Sequence, residues 1–438
     1  MNNPDTEPDS FIPYLLDDLV EMCLEEGTLP DEEQQDFREF TSFFSAMGNF
    51  LSHQELDTLD KDYAYFNPDS EMKVRPCSLE NLAEAGERVV NTFRNMAVNA
   101  NYRKLTDEEL EESFVAMSLI KFKTDVDLEE FAQVECYVRG SGFQPHVSRD
   151  WKFKETEQQV EIWRRVLLLM EFKKDEDLSE EQLIRRQKAK LPYQPGKIYI
   201  YQYKDVPKAD LEILFPNVRV SMNRKDRILL GIPALVAAIG TAVKLGVKIV
   251  LVAGVIAWVF FGKEMFGVDA SNKEMAMKAA VAFLGILAAF GGLGFKQYTS
   301  VKNKRIGFLK EVSEHLFFRN IAMNKAVLNR IIDDGEDEDS KEAILVYYHL
   351  LTHKGPALNR QQLDEKIQNW MKESFATVID FDIDGPVNKL KKFAGVTNEG
   401  EKRYLLCEAP DGALSIPSLD EAKEIMDYHW DNAFQYSR

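Results

Sequence analysis

The chain has 438 residues, of which 29% are charged and 45% hydrophobic, and its formal net charge is −19 at pH 7. This composition excludes wholesale disorder and predicts two or three folded domains, and the negative charge disfavours general binding to nucleic-acid phosphates. Four cysteines without paired spacing exclude a disulfide scaffold and a zinc ribbon. The first ten residues are acidic and lack a long apolar run. Neither a secretory signal nor a mitochondrial transit peptide is therefore predicted.

Residues 1–225 are predicted to form an α+β domain in which the helices precede the sheet. Residues 1–60 contain sixteen Asp and Glu but one basic residue, Arg38. Apolar residues recur among these acids at helical spacing, which predicts an amphipathic helix with a solvated acidic face or, alternatively, an acidic docking surface for a basic partner. Further helices are predicted over about 31–59, 79–100 and 107–120, and Thr106 and Glu109 form a capping box for the last.

The pattern then changes to that of β-strands. Alternating apolar residues at 134–138 and β-branched or aromatic runs at 160–172, 198–203 and 217–222 predict strands. Residues 139–142 (Arg-Gly-Ser-Gly) are interpreted as a turn that lacks the third glycine of a dinucleotide fingerprint. The polar segment 174–196 is predicted to be an excursion between strands, and 207–215 a short helix.

An apolar zone follows between residues 228 and 295. Uncharged runs cover 228–243, 249–262 and 279–295, the last of them seventeen residues long. A transmembrane helix needs about 20 apolar residues to cross about 30 Å of hydrocarbon. Basic residues precede the first run and follow the last, which predicts that both flanks are cytoplasmic. We therefore expect a transmembrane hairpin over residues 226–298 in a multi-pass protein.

Two features of this predicted hairpin are candidate functional residues. Lys244 and Lys248 lie one turn apart inside the apolar zone, where they either reach lipid headgroups or line a polar path in an oligomer. Small residues also recur at four-residue spacing, which allows close packing of helix backbones, either within the hairpin or between chains. These packing candidates are Ala234, Ala238, Ala242, Gly246, Gly285 and Ala289.

Residues 299–438 are predicted to form a helical, winged-helix-like domain. Helices are expected at about 301–332, 341–353, 360–374 and 385–394, and an acidic segment at 333–339 is interpreted as a solvated loop. A short hairpin around Asp411-Gly412 and a final helix capped by Ser418 and Glu421 complete the pattern. Because the surroundings of its lysines are acidic, this domain is expected to contact protein and not nucleic acid.

The sequence offers weak candidates for metal binding and for catalysis. Asp380, Asp382 and Asp384 imitate the start of a calcium loop, but Lys391 occupies the position of the bidentate Glu, so a strand followed by an Asp384 N-cap is the preferred interpretation. His349 and His353 lie four residues apart without a third ligand. The sequence has no phosphate-binding loop and no nucleophile elbow, so no catalytic residue, metal ligand or cofactor is predicted.

Several segments together resemble an uncharacterised-domain membrane protein family, the one that includes mitochondrial transmembrane protein 143. The segments occur in the same order over nearly the whole chain, and the resemblance implies a soluble N-terminal domain, a membrane hairpin and a helical C-terminal domain. No activity follows from it. The resembling segments are FIPYLLDDLVE at 11–21, DKDYAYFNPDSE at 60–71, YVRGSGF at 137–143, WRRVLLLMEFK at 163–173, KDVPKADLEILFPNVRVSM at 204–222, KEAILVYYHLL at 341–351 and VIDFDIDGPVNKLKKFAGV at 378–396.

These observations predict an α+β membrane protein, mainly helical, in a bacterial inner membrane and less favourably in an organellar one. Both termini are expected to be cytoplasmic. The leading hypothesis is a membrane-anchored scaffold or regulatory protein that self-associates, with the lipid bilayer, a second copy and a protein bound by the soluble domains as partners. The alternative is a small ion or solute conduction assembly built from packed hairpins. Enzymatic activity stays open, although no motif supports it.

Overall fold

The computed structural model describes most of the chain outside the apolar zone. The described residues are 11–71, 73, 78–115, 123–149, 155–189, 193–221, separate positions between 246 and 310, 316–396 and 400–434. The chain forms two compact units. The first comprises Met1–Ser113, Asp127–Leu211 and Arg319–Arg438, and the second comprises Phe114–Val126 and Glu212–Phe318. The predicted N-terminal and C-terminal domains thus both contribute residues to the first unit.

The N-terminal region is helical, as the apolar spacing predicted. Its helices are α1 (Leu16–Glu25), α2 (Asp31–Tyr63), α3 (Leu79–Asn99) and α4 (Asp107–Val115). The predicted capping box at the start of α4 is confirmed, since the Glu109 backbone N–H donates to Thr106 Oγ1 and the Thr106 N–H donates to the Glu109 carboxylate. Ser78 caps α3 in the same way by accepting from the Asn81 N–H. These bonds satisfy backbone donors that the first helical turn leaves without partners.

An antiparallel sheet follows, with the strand order β1-β3-β4-β5-β7. The strands predicted at 134–138, 160–172, 198–203 and 217–222 form with different bounds, as β3 (Phe131–Arg149), β4 (Glu155–Phe172), β5 (Ile198–Pro207) and β6 (Arg219–Ser221). Further strands were not predicted, namely β1 (Arg103–Lys104), β2 (Lys123–Asp125), which pairs with β6 in the second unit, and β7 (Asn320–Met323). The helix expected over 301–332 is wrong at β7, because these residues pair with β5 at the edge of the sheet. A 3-10 helix (Asp175–Asp177) and α5 (Glu180–Ala189) occupy the predicted excursion between β4 and β5, and a second 3-10 helix spans Lys208–Leu214.

The interpretation of residues 139–142 as a turn is wrong, because β3 continues through them. Ser141 pairs with Trp163 and Gly142 with Ile162, and the register continues to Arg149 opposite Glu155. Gly140 has a φ of +66°, which a glycine adopts without the steric cost that a side chain would bring. The glycine therefore bends a long hairpin strand, and does not end it.

The C-terminal region contributes four helices and two short hairpins to the first unit. They are α6 (Lys325–Leu351), α7 (Arg360–Phe375), α8 (Asp384–Lys392), β8 (Ala394–Val396), β9 (Lys402–Tyr404), β10 (Cys407–Glu408), β11 (Leu414–Ser415) and α9 (Leu419–Asp431). The predicted hairpin around Gly412 is confirmed, and this glycine has a φ of +84°. The predicted Ser418–Glu421 capping box is also present. The winged-helix-like arrangement of these elements stays a prediction.

Helix α6 lies between two hydrophobic cores. Its C-terminal half packs with α1, α2, α7, α8 and α9, and its N-terminal half packs with α3 and the sheet. Tyr347 and Tyr348 are fully buried in the first core, where the Tyr347 ring lies 4.4 Å from that of Phe40. Because both cores combine residues of the N-terminal region with residues of α6, the two ends of the chain belong to one folded unit.

The structure contradicts the predicted transmembrane hairpin. Over the residues described above, no helix is both long enough and apolar enough to cross a membrane. Helix α2, with 33 residues, has sufficient length, but its nine Asp and Glu and two basic residues make it far too polar. Most of 226–298 lies outside the described residues. The predictions of a multi-pass membrane protein and of an inner-membrane location are corrected accordingly, while the mixture of helices with an antiparallel sheet is observed.

Candidate functional site

Most of the residues singled out in the apolar zone lie outside the described part of the chain. These are Lys244, Lys248, Ala234, Ala238, Ala242 and Ala289. Gly246 and Gly285 are described, and both are helical. A Cβ atom added at either glycine would meet no described atom within 4 Å. That the small residues pack helices together, and that Lys244 and Lys248 line a polar path, therefore stay predictions.

The two histidines and the Asp-rich segment have separate structural roles. His349 is buried against Trp370, and burial lowers its pKa to about 3, whereas the exposed His353 bonds the Pro356 carbonyl. Asp382 accepts a 2.9 Å hydrogen bond from the Asp384 N–H, so Asp384 is in the first turn of α8 and is not its N-cap. Among the described residues, no group of three or more His, Cys, Asp or Glu is placed to hold a metal ion.

The acidic segment 333–339 is part of helix α6, and the prediction of a solvated loop there is wrong. Glu336 and Glu338 are 6% and 5% exposed, and Lys341 and Glu342 beside them are 4% and 7% exposed. Charged groups lose most of their hydration when they are buried, so each requires a partner or a bound proton. This buried charged cluster extends to Asp339 and to Lys389 of α8.

Glu336 is the centre of the cluster. Its carboxylate accepts hydrogen bonds from Ser52 Oγ at 2.9 Å, Ser340 Oγ at 3.0 Å and Lys389 Nζ at 2.8 Å. Lys389 Nζ also bonds Asp339 Oδ2 at 3.3 Å, so that one ammonium group serves two carboxylates. A Cβ atom added at Gly48 would lie 1.8 Å from Glu336 Oε1. Glycine at this position therefore allows α2 and α6 to approach around the carboxylate.

A second pair in the cluster holds the N-terminal segment. The Ile12 N–H donates to Glu338 Oε2 at 2.9 Å, and Lys341 Nζ donates to the Ile12 carbonyl at 3.3 Å. Lys341 also bonds Glu338 Oε1 at 2.9 Å. Burial raises the pKa of Glu338, against the opposing effect of Lys341. Glu338 and Lys341 thus bind the backbone N–H and the carbonyl group of Ile12, which precedes α1.

Glu342 has the most perturbed carboxyl group of the cluster. Burial raises its pKa to about 8, and the neighbouring charges of Asp339, Glu338 and Asp382 act in the same direction. Asn101 Nδ2 lies 3.4 Å from Glu342 Oε1 and opposes this shift. Burial also raises the pKa of Asp339, although Lys389 opposes it. The cluster therefore holds a proton at neutral pH.

A cleft of about 580 Å³ lies over the cluster. Residues of α2, α6 and α8 line it together with Asn99 and His429, and Glu336, Asp339 and Lys389 contribute charged walls. No residue of the sheet between 130 and 205 lines this cleft. Ser52 and Glu336, which share a hydrogen bond, both line the cleft, but the Glu336 carboxylate is already engaged by Ser340 and Lys389, so the cleft gives no support to a particular reaction.

A different feature of the first unit, an exposed group of aromatic side chains, is typical of an interaction surface. Phe43 of α2, Trp430 of α9 and Phe434 are 55%, 52% and 73% exposed. Phe50 lies beside two of them, with its ring centroid 5.8 Å from that of Trp430 and 5.3 Å from that of Phe434. We name these four residues the aromatic patch. Soluble proteins seldom leave neighbouring large aromatic residues exposed without a binding partner.

Helical spacing explains why the aromatic patch forms. Phe43 and Phe50 are seven residues apart, which places them on one face of α2 about 10 Å apart. Lys423 of α9 pairs with Asp36 and Glu39 of α2, two turns before Trp430 reaches Phe50. The two helices therefore run side by side in the same direction. Their inward faces carry the first core, and their outward edges carry the patch.

The surroundings of the aromatic patch are acidic. Helix α9 carries five Asp and Glu and one lysine, Lys423, which is already paired with α2. Asp427 and Asp431 are exposed beside Trp430. Residues 40–54 of α2, which include both phenylalanines, contain no Asp, Glu, Lys or Arg. The patch is thus an uncharged aromatic area with acidic borders.

Sequence reasoning missed both the buried charged cluster and the aromatic patch. The cluster had no sequence signal, because its acids come from one segment and its main lysine, Lys389, from another. A signal for the patch did exist. Phe43 directly precedes Phe44, and because adjacent residues of a helix cannot share one narrow face, the pair indicates that one ring points outward.

No solved structure matches this chain. One family model matches part of the chain. The matching segment begins in β4, includes the whole apolar zone and ends at the start of α6. Residues 163–326 match the family described as "Protein of unknown function (DUF3754)", which supports the resemblance to an uncharacterised domain family over that segment.

Proposed function

We propose that this chain is a scaffold or regulatory protein that acts by binding another protein through the aromatic patch. The observation that carries the proposal is the exposure of Phe43 and Trp430 on two parallel helices and of Phe434 just beyond the end of α9, with Phe50 beside the last two. Trp is among the residue types that dominate binding energy at protein interfaces, and a ring that is already held by a neighbour loses little freedom on binding.

The packing beneath the patch supports this role, because it holds the two helices in place. Ala422, Ile425 and Met426 of α9 are buried in the same core as Phe40 and Phe44 of α2. The aromatic side chains therefore project from a rigid support, and interaction sites on rigid helices are better preorganised than sites on loops.

Self-association is one form that the protein binding could take. We also infer the narrower family likeness, to the proteins related to transmembrane protein 143. The alternative of a conduction assembly depends on Lys244 and Lys248, which lie outside the described residues, so no described residue supports it. The binding role is favoured because Phe43, Trp430 and Phe434 are exposed aromatic side chains.

The proposal is tested by site-specific photo-crosslinking in cells that produce the protein. A photoreactive phenylalanine analogue replaces Phe434 in one variant and Leu15, which is 71% exposed on another face, in the control variant. We expect discrete protein adducts from position 434 and none of the same mass from position 15. An adduct of twice the chain mass would identify a second copy as the partner. Equal adduct patterns from the two positions, or no adduct at 434, would refute the proposal.

A further inference from the structure

We propose that the aromatic patch binds a basic amphipathic helix of a partner protein. This inference rests on the proposed function, because it names the chemistry of the partner that the patch would recognise. The shape and the charge of the surface that α2 and α9 form support it, and neither depends on residues of the apolar zone.

The shape of the patch matches one face of a helix. Phe43 and Phe50 lie about 10 Å apart along α2, which is two helical turns. Trp430 of α9 and Phe434, three residues beyond the end of α9, lie beside Phe50, so the aromatic area extends along α2 from Phe43 to Phe50. Amphipathic helices bind such surfaces through apolar residues at positions i, i+3, i+4 and i+7. A partner helix laid along the patch would present two turns of apolar side chains to these rings.

The charge of the borders selects a basic partner. Asp427 and Asp431 are exposed on α9, and the nine acids of α2 lie toward its two ends, on either side of the uncharged residues 40–54. Lys423 pairs with Asp36 and Glu39, so the one lysine of α9 is engaged at the far end of the patch. Lysine or arginine residues on the flanks of a partner helix would meet these carboxylates, while an acidic helix would be repelled.

The same charges argue against a second copy of this chain bound patch to patch. A symmetric dimer brings identical surfaces together, so Asp427 and Asp431 would face the same carboxylates of the other copy across the two-fold axis. The whole chain has a net charge of −19, which adds long-range repulsion between copies. A basic helix is thus favoured as the occupant over a symmetric self-contact.

The test uses the full chain and three synthetic peptides of 18 residues. The first peptide is a helix with leucine and phenylalanine on one face and lysine on its flanks. The second replaces each lysine by glutamate, and the third has the first peptide's composition in scrambled order. Binding is measured by fluorescence anisotropy at low salt and at about 0.25 M salt, where screening shortens the range of exposed charges to less than about 10 Å.

We expect the basic amphipathic peptide to bind more tightly than either of the others. The double variant Trp430→Ala, Phe434→Ala should weaken binding about tenfold or more, since aromatic anchors carry much of such interfaces. The double variant Asp427→Asn, Asp431→Asn should weaken it less and should reduce its dependence on salt. Phe143→Ala, which removes a 48% exposed ring from β3, is the matched control and should leave binding unchanged.

Three outcomes would overturn the inference. They are equal binding of the basic and acidic peptides, an unchanged affinity of the Trp430→Ala, Phe434→Ala variant with native circular dichroism, and equal effects of this variant and Phe143→Ala. Failure of the peptide test together with specific crosslinking at position 434 would refute the basic helix and leave the protein-binding function standing. Twice the chain mass in that adduct would then assign the patch to a second copy.

Discussion

The replacement Glu342→Gln tests the central property of the buried charged cluster. Glu342 is 7% exposed, and its environment holds the carboxyl group in its protonated form at neutral pH. Glutamine has nearly the same shape and stays neutral at every pH. Its amide oxygen can still accept the hydrogen bond from Asn101. The variant therefore removes the ionisation of this side chain and retains its packing.

The magnitude follows from the pKa of Glu342, which is about 8 in the folded chain against the ordinary 4.5. Between these values the folded chain retains a proton that the unfolded chain has released, so the free energy of unfolding falls as pH rises. Each pH unit changes it by about 1.4 kcal/mol, which gives about 5 kcal/mol in total. Between pH 6.5 and 8 we expect the wild type to lose about 2 kcal/mol that Glu342→Gln retains.

The assay is urea denaturation of both proteins at several pH values, with hydrogen exchange of the α6 amides as a local readout. His349 does not interfere above pH 6.5, because its pKa is lowered to about 3 and its contribution is lost only as pH falls below 6.5. Glu112→Gln, at an exposed glutamate of α4, is the matched control. Parallel pH profiles for the wild type and Glu342→Gln would refute the reasoning.

Three further predictions concern neighbouring residues. Gly48→Ala should destabilise the fold by about 2 kcal/mol or more in thermal melts, because the added Cβ displaces a Glu336 carboxylate that three hydrogen bonds hold in place. Asn49→Ala, at the next and exposed position of α2, is its control and should change the free energy of unfolding by no more than about 0.5 kcal/mol. Lys389→Met should cost about 3–5 kcal/mol in urea denaturation, since it leaves a buried carboxylate without its cation. His349 should stay neutral down to about pH 4 in an NMR titration, and stability should fall as pH drops from 6.5 toward 3, because the unfolded chain binds a proton that the folded chain excludes. A histidine that titrates near pH 6.5 in the folded protein would contradict this last expectation.

Local elements of this protein followed from short segments of its sequence. The Thr106–Glu109 and Ser418–Glu421 capping boxes, the β4 and β5 strands and the hairpin at Gly412 each form as the residues predicted. These elements depend on hydrogen bonds and on apolar spacing within a few residues, so neighbouring positions contain the necessary information. The interpretation of Gly140 as a turn failed because the pairing of β3 with β4 decided the course of the strand.

The membrane hairpin was predicted from hydropathy alone, and the finding on the described helices contradicts it. The buried charged cluster was decided by tertiary structure, because the groups that stabilise it come from distant parts of the chain. Residues 333–339 look like a solvated loop in isolation, yet Glu336 is bonded to Ser52, 284 residues away, and to Lys389, 53 residues away.

The sequence by itself therefore determined most of the helices, several of their caps and the strands β3 to β6, since these depend on local propensity. The tertiary structure alone decided which charges are buried and which aromatic residues remain exposed. Burial is a property of all the elements packed around a residue. Helix α2 has aromatic residues on several of its faces, and the positions of α6 and α9 determine that Phe40 and Phe44 enter the core while Phe43 and Phe50 form the aromatic patch.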